Sequence, residues 1–417
     1  MWQFIDVFKK VKNEQIQDDD FSDRLSHRYT VVLLLIFCVL VGTTQYVGQP
    51  ISCWTPSHFS MGMNSYTNSI CWISNTYYVP MEENLQNPTH ARQFRINYYQ
   101  WVPFILSLMA LLFFSPWATW HVLSKSACCD VKSVMKIVSM IDHGSTESRD
   151  KSIRNIVKIV VRSIENSRGW YGNGVVGCFR RWVNFCLFPM YRRTGSYLCS
   201  LYMFIKLMYL VNVFGQFFLL NKFMGPDYNV YGLHVVRDLW NGNDFWESSR
   251  FPRITMCDFT IRTLGNNNQV NTIQCTLPIN LFNEKIFIFL WFWLVLVACF
   301  SFYNFVFWFY YFTSSSRISF VKRYLRIGGR LAYARKREKR SHLPSKSSIV
   351  CKEKLLHLFV FNYLKHDGLF LLRNIKNNTN DLIIGDLISA LWEQFIAYQK
   401  FLKNTDVDGI DDAVTEI

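Results

Sequence analysis

Long apolar stretches alternate with polar segments along this chain, and the apolar stretches carry almost no charge. Four of them are long enough to cross a bilayer, which takes about 20 helical residues, and they span residues 29–47, 101–122, 198–220 and 286–312. The first, second and fourth contain no Asp, Glu, Lys or Arg, and the third contains one charged residue, Lys206. The pattern therefore predicts four membrane-spanning helices joined by polar loops and followed by a long polar tail.

The second stretch begins with amphipathic rings and a proline. Tyr98, Tyr99 and Trp101 favour the membrane–water interface, because the ring body meets lipid while the polar tip meets water. Pro103 falls in the first helical turn, where its missing N–H would have no helical partner. Pro116 lies deeper and crowds the carbonyl four residues earlier. We therefore predict a helix that bends at its extracellular end near Pro103 and in its inner half at Pro116.

The uneven distribution of charge orients the predicted helices. Of a net charge of +15, most lies in loop 123–197, with 13 basic and 5 acidic residues, and in tail 313–417, with 18 and 11. Segments 48–100 and 221–285 are each balanced. Because positive segments stay on the cytoplasmic side, we predict cytoplasmic termini and two extracellular loops, 48–100 and 221–285. The basic residues follow this topology, so we expect no nucleic-acid partner.

The cysteines agree with this orientation. The chain has 12, and each predicted extracellular loop holds two: Cys53 and Cys71 in the first, Cys257 and Cys275 in the second. An oxidising compartment favours disulfides. Four cysteines allow three connectivities, and the sequence alone does not choose among them. The other eight lie in predicted membrane or cytoplasmic segments, where we expect them to stay reduced.

Periodic patterns predict further elements in the polar segments. Alternating residues over 255–261 predict a short strand in the second extracellular loop. Residues 150–165 and 381–402 each place apolar side chains on one face of a helix. We expect the first of these helices to pack against another helix, from the tail. The basic cluster at 335–340 is interpreted as an orientation signal or a lipid-headgroup contact.

Lys206 is the one charge within a predicted span. It lies about 12 Å inside the third helix, counted at 1.5 Å per residue from the cytoplasmic end. Intramembrane charges face a bundle interior or a wet cavity. Two roles therefore stay open for Lys206, a structural contact within the subunit and a pore-facing position.

The sequence contains no recognisable catalytic motif. P-loop, GxSxG, HExxH and dinucleotide-binding patterns are missing, and the nine histidines are scattered without close ligand pairs. We therefore expect no enzyme activity, no catalytic residues, no cofactor and no metal site.

Five short stretches together resemble the innexin family, the gap-junction proteins of invertebrates. They are DRLSHRYT at the first membrane helix, GQPISCWTP in the first loop, YYQWV at the second helix, and FPRITMCDF and NTIQCTLPINLF in the second loop. Their order and spacing match over about residues 1–312. Met63-Asn64 departs from the Trp-Glu that innexins often carry, which removes an extracellular acid. The tail beyond about residue 313 carries no family motif.

The resemblance implies a ring of subunits, typically an octamer, around a wide aqueous pore. Two rings on adjoining cells would dock through their extracellular loops and pass ions and small metabolites. It also implies disulfides between the loops, Cys53 with Cys275 and Cys71 with Cys257. The amino-terminal residues would fold into the pore as a funnel. Its candidate residues are Trp2, Gln3 and Asp6, with Trp2 against the wall and Gln3 and Asp6 facing the lumen.

We thus expect a mainly α membrane protein, a four-transmembrane-helix bundle subunit with a small disulfide-bonded α+β extracellular domain and a helical cytoplasmic domain. Its expected partners are copies of itself, other innexins and membrane lipids, at gap junctions in the plasma membrane. Two alternatives are an undocked hemichannel that releases small molecules such as ATP and a non-conducting junctional adhesion or scaffold protein. The predicted segments are 1–28 (cytoplasmic and funnel), 29–47 (first span), 48–100 (extracellular), 101–122 (second span), 123–197 (cytoplasmic), 198–220 (third span), 221–285 (extracellular), 286–312 (fourth span) and 313–417 (cytoplasmic tail).

Overall fold

A computed structural model describes most of the chain. The described residues are 19–80, 95–124, 131–139, 146–166, 195–225, 228–242, 250–262, 265, 267–328 and 353–414. The funnel residues Trp2, Gln3 and Asp6 and the basic cluster at 335–340 lie outside these ranges.

Helices dominate the described residues. In chain order they are α1 (Phe21–Tyr46), α2 (Met61–Ile73), α3 (Tyr98–Ser124), α4 (Val131–Ser139), α5 (Thr146–Asn166), α6 (Tyr197–Met224), α7 (Tyr231–Trp240), α8 (Pro278–Tyr311), α9 (Ser314–Ile327), α10 (353–363), α11 (Lys365–Asn378) and α12 (Asp381–Val414). Helix α1 contains a π-helical turn at Leu25–Thr30, and α3 begins with a 3-10 turn at Tyr98–Trp101.

Four of these helices, α1, α3, α6 and α8, are long and apolar enough to cross a membrane. Each is longer than the apolar stretch that predicts it. Helix α8 has 34 residues, about 50 Å at 1.5 Å per residue, so it is longer than the hydrocarbon layer is thick. The prediction of four membrane-capable helices is confirmed.

The chain divides into two compact units. The first, called the sheet unit, comprises Phe21–Pro116 and Met208–Phe302. The second, called the helical unit, comprises Met1–Asp20, Trp117–Leu207 and Tyr303–Ile417. Three of the long helices contribute residues to both units.

The sheet unit contains a five-stranded antiparallel sheet in the order β1-β5-β4-β2-β3. The hairpin of β4 and β5 comes from the second predicted extracellular loop and supplies the centre. Short strands from the first loop pair on both sides of it. The strands are β1 (Ser52–Cys53), β2 (Thr76–Tyr77), β3 (Arg95–Ile96), β4 (Ile254–Arg262) and β5 (Asn268–Thr276).

Strand β4 carries the alternation that predicts it. Cys257 and Phe259 point into the core and are almost fully buried, while Thr260 is exposed. Helix α2 in the first loop was not predicted. The Ser60 side chain caps it by accepting a hydrogen bond from the backbone N–H of Met63 (3.3 Å). Thr67 and Cys71, four residues apart, form its buried face.

The helical unit includes helices α4 and α5 and the helices of the tail. Helix α5 packs against α12 and α4, as its apolar face predicts, and its buried residues are Ile153, Ile156, Val157 and Val160. Helix α12 also packs against α9. At that crossing, a Cβ atom on Gly328 would lie 2.1 Å from the Ser389 hydroxyl, so glycine permits the close approach.

Rings from four helices meet in the same unit. Trp120 of α3 and Trp308 of α8 each make an edge-on contact with Tyr202 of α6, with ring centroids 5.4 and 4.7 Å apart. Phe370 of α11 contacts all three of these rings. The tail helix α11 is therefore joined to the ends of three long helices by one aromatic cluster.

Two leucines of α12 test this packing. Leu391 is fully buried, so Leu391→Ala should destabilise the chain by about 2–5 kcal/mol through lost burial and a residual cavity. Leu382, 64% exposed on the same helix, is the matched control, and Leu382→Ala should change stability by less than about 0.5 kcal/mol. Thermal unfolding of the purified full-length chain in detergent measures both. Equal shifts would show that α12 is not packed as described.

Candidate functional site

Two disulfides tie the two predicted extracellular loops together. Cys53 of β1 is bonded to Cys275 of β5, and Cys71 of α2 is bonded to Cys257 of β4. The cysteines of the first bond are also paired in the register of the sheet. These are the same pairs that the family resemblance implies. Each bond links positions far apart in sequence, by 222 and 186 residues, so together they hold the ends of all four long helices to one sheet.

The sulfur atoms lie close together. The Sγ atoms of Cys53, Cys71 and Cys275 are all within 4.8 Å of one another. A cluster of three thiols at this distance could hold a soft metal ion as thiolates. Here every one of these sulfurs is oxidised in a disulfide, so the cluster acts as a covalent clamp.

Polar contacts fix the first loop around the clamp. The Asn68 side-chain oxygen accepts a hydrogen bond from the backbone N–H of Cys53 (3.0 Å), and the backbone N–H of Trp54 donates to the carbonyl of Gln274 (2.8 Å). Asn64, where the family resemblance leads us to expect an acid, accepts a hydrogen bond from the Thr55 hydroxyl (2.7 Å). Helix α2 therefore presents an uncharged surface, because none of its residues is Asp, Glu, Lys, Arg or His.

The YYQW turn at the start of α3 joins that helix to the loops. Tyr99 is fully buried, and Tyr98 donates from its hydroxyl to the carbonyl of Arg250 (3.1 Å). Gln45 of α1 donates to the Tyr99 carbonyl (2.6 Å). The expectation that Tyr99 lies in the lipid interface is wrong, because its ring is fully buried inside the subunit, whereas Tyr98 is half-buried. Trp101, 59% exposed, keeps an outward position.

The two prolines of α3 differ in setting. Pro103 is the second residue after the 3-10 turn, inside the first α-helical turn, and its carbonyl lies 3.4 Å from the Cys38 sulfur of α1. Pro116 is buried inside the helix, which continues through it to Ser124. The kinks at these positions stay predictions.

Lys206 belongs to a buried ion pair in the helical unit. Its ammonium lies 2.9 Å from the Asp20 carboxylate, and its side chain is only 2% exposed. The same carboxylate oxygen accepts hydrogen bonds from the Tyr202 hydroxyl (3.0 Å) and the Trp308 indole. Burial raises the pKa of Asp20. The Lys206 charge and the hydrogen bonds from Lys206, Trp308 and Tyr202 outweigh this effect and hold the pKa below its usual value. The geometry favours the structural role for Lys206.

A second carboxylate caps the start of the third long helix. Asp367 of α11 accepts a hydrogen bond from the backbone N–H of Cys199 (3.0 Å), in the first turn of α6. In return, the backbone N–H of Asp367 donates to the carbonyl of Gly195 (2.9 Å). Gly195 has a φ of +69° and touches the Lys365 side chain, so a Cβ atom there would clash. These two hydrogen bonds thus hold the tail at the amino-terminal end of α6.

Burial raises the pKa of Asp367 to about 6, although the N–H groups of residues 197–199 and the Lys365 ammonium favour its charged form. Burial and the neighbouring Arg317 lower the pKa of the adjacent His366. Sequence reasoning found neither Asp20 nor Asp367. Asp20 could have been suspected as the last of three consecutive aspartates, residues 18–20, shortly before the first apolar stretch. Nothing in the pattern links Asp367 to residue 199.

The disulfide pairing has a direct chemical test. Non-reducing peptide mapping of the protein purified from membranes should recover Cys53 linked to Cys275 and Cys71 linked to Cys257, because the sheet register and α2 bring these sulfurs together. Recovery of Cys53 linked to Cys71 would contradict the clamp between the loops.

The buried ion pair predicts a non-additive mutant cycle. Lys206→Met leaves the Asp20 carboxylate buried without its cation and should cost about 3–5 kcal/mol of stability. The double variant Asp20→Asn/Lys206→Met should recover most of this loss. Lys222→Met, an exposed lysine on the same helix, is the control. Thermal unfolding in detergent measures the stabilities of the wild type and the three variants. A loss of stability for Lys206→Met no larger than that for Lys222→Met would disprove the structural role of Lys206.

Asp367 predicts a pH dependence of known sign. Because its pKa is about 6 in the folded chain and 3.8 in the unfolded chain, its contribution to stability is complete below pH 3.8 and is lost as the pH rises through 6. Asp367→Asn should remove this contribution, on the order of 2–3 kcal/mol between pH 4 and 7. Both proteins, variant and wild type, contain His366, whose effect on stability changes with pH in the opposite direction. The difference between their thermal stabilities across that range therefore cancels the effect of His366 and leaves that of Asp367. A difference that does not vary with pH would refute the assignment.

Comparison with known proteins identifies the family of this chain. A family model described as Innexin matches residues 19–395. Innexin unc-9 of Caenorhabditis elegans is 36% identical over 381 residues, covering 91% of this chain and 92% of that protein. Innexin-19 of Caenorhabditis briggsae is 34% identical, covering 91% and 86%, and innexin eat-5 of C. elegans is 30% identical, covering 93% and 91%. The four membrane-capable helices, the clamped loops and these matches together show that this chain belongs to the innexin family.

Proposed function

We propose that this innexin builds its gap-junction channel from copies of itself. Innexins form gap-junction channels, and the family is matched over most of the chain. In the proposal, subunits form a ring around an aqueous pore, with eight subunits as the resemblance implies. Two rings on adjacent cells dock and pass ions and small metabolites.

The observation that carries the proposal is the disulfide clamp. Docking of two rings needs a rigid surface outside the membrane, and a loop without its own core would have to be ordered at a cost in entropy. Here two loops share one sheet and two covalent bonds. The clamp therefore supports a preorganised face that can meet an identical face on another cell.

Orientation follows from oxidation state and charge. Disulfides persist outside the cytoplasm, so the proposed extracellular side is that of the sheet. The strongly basic segments 123–197 and 313–417 then lie in the cytoplasm, as the positive-inside rule requires. Both chain termini are cytoplasmic in this arrangement, and the protein lies in the plasma membrane at cell junctions.

The amino-terminal residues complete the proposed pore. Trp2, Gln3 and Asp6 form the funnel, with Gln3 and Asp6 towards the lumen. Asp20, immediately before α1, is fixed by Lys206, Tyr202 and Trp308, so the funnel would begin from an anchored point. Deletion of residues 2–12 should then change conductance or ion selectivity without preventing assembly.

Electrical recording from paired cells tests the function. Cells that both express the chain should show junctional current, and the cysteine pair should be essential to it. Cys53→Ser/Cys275→Ser should lose junctional current while surface biotinylation still detects the protein. Cys299→Ser, which changes an exposed free cysteine of α8, is the matched control and should conduct normally.

Other outcomes separate the alternatives. Current in single cells together with no junctional current would favour an undocked hemichannel that releases small molecules such as ATP. Junctional plaques without any current would favour an adhesion or scaffold protein. Either result would overturn the proposal of a docked, conducting channel.

A further inference from the structure

The segment that follows α6 is fixed to the side of α8. The Tyr228 hydroxyl donates to the backbone carbonyl of Phe287 (2.9 Å), and the Trp291 indole donates to the carbonyl of Asn229 (3.0 Å). Gly232, at the start of α7, lies against the Trp291 ring so closely that a Cβ atom would be 2.0 Å from it. These contacts fix the start of α7 beside residues 287–291 of α8.

Residues 287–291 of α8 lie near the edge of the membrane. Lys285 is the last charged residue before the long apolar part of α8, and its side chain is 57% exposed. Trp291 lies six residues further along, about 9 Å at 1.5 Å per residue. The headgroup layer on each side of the hydrocarbon core is about 5–8 Å thick. The first turn of α7 therefore lies close to the boundary between headgroups and hydrocarbon.

Helix α7 has three distinct faces when its residues are placed about 100° apart. One face packs into the subunit through Tyr231, Gly232 and Val235, which are all buried. A second is polar, with His234, Arg237 and Asp238. The third is apolar yet exposed, with Leu233 60% exposed, Val236 46% and Trp240 89%.

We propose that α7 is an interfacial helix whose face of Leu233, Val236 and Trp240 inserts into the outer leaflet of the cell's own membrane. A helix with an apolar stripe and a charged stripe lies in the plane of the interface, with its apolar side against acyl chains. The polar face then meets water and headgroups. Trp240, at the carboxyl end, is the residue type that favours this layer.

Lipid is the occupant that fits the surroundings. The contacts with Phe287 and Trp291 hold the start of α7 beside the apolar part of a membrane-capable helix, at the depth where headgroups give way to acyl chains. Docking surfaces on the opposing cell would instead have to lie beyond the headgroups. The role inferred for α7 is to bind the second extracellular loop to the bilayer surface.

Photo-crosslinking distinguishes the possible occupants. The full-length chain is made with p-benzoylphenylalanine at Leu233 or at Val236, reconstituted in phosphatidylcholine nanodiscs and irradiated. Val270, on β5 in the same unit and 53% exposed, is the matched control position. We expect mass spectrometry to show lipid adducts at 233 and 236 that exceed those at 270 several-fold.

Two results would overturn the inference. Adducts at 233 and 236 that migrate as subunit dimers, without lipid, would show that the face contacts another copy of the chain. Equal lipid labelling at all three positions would show that the face lies in water. Because both tested side chains are exposed, each substitution should leave folding intact, and the second position serves if the first variant does not assemble.

Discussion

The sheet unit of this innexin depends on a covalent constraint, the pair of disulfides between two loops that enter the sheet from different parts of the chain. Four membrane-capable helices supply the ends of those loops. The central hairpin belongs to one loop, and its neighbours on both sides belong to the other. Short two-residue strands such as β1 and β2 would be marginal alone. The Cys53–Cys275 bond links β1 to a hairpin of two nine-residue strands, and the Cys71–Cys257 bond links α2, which precedes β2, to the same hairpin.

In the helical unit the corresponding constraint is electrostatic. A lone lysine inside a membrane helix is costly, and Asp20 offsets that cost by placing its carboxylate at hydrogen-bond distance. Asp367 does the equivalent for the free N–H groups at the start of α6. Both carboxylates come from segments outside the apolar stretches. Lys206 and the first turn of α6 thus receive their partners from the amino-terminal segment and the tail.

Much of this architecture follows from local sequence. Uninterrupted apolar runs are sufficient to predict α1, α3, α6 and α8, because no other described segment combines such length with so little charge. Strand β4 and helix α5 are periodic enough to be predicted as well. Helix α2 is not predictable in this way, because Gly62 and the polar residues Asn64 and Ser65 interrupt any apolar pattern around its two buried positions.

Long-range contacts explain the remaining differences. Spacing could not choose among three disulfide connectivities, and only resemblance to a family suggested one. Tyr98 and Tyr99 resemble an ordinary interfacial pair, yet their environment depends on Arg250 and Gln45, which are distant in sequence. The capping of α6 by Asp367 spans 168 residues. Such partners are determined by the assembled fold, and no local pattern reveals them.

The separation of the bonded cysteines also changes the topology of the molecule. The Cys53–Cys275 bond closes a loop that contains α3, α6 and everything between them. A chain cut by a protease between α5 and α6 would therefore remain a single covalent molecule until its disulfides were reduced. The two fragments would keep the sheet between them, so peptide-bond continuity between α5 and α6 is not what holds the sheet together.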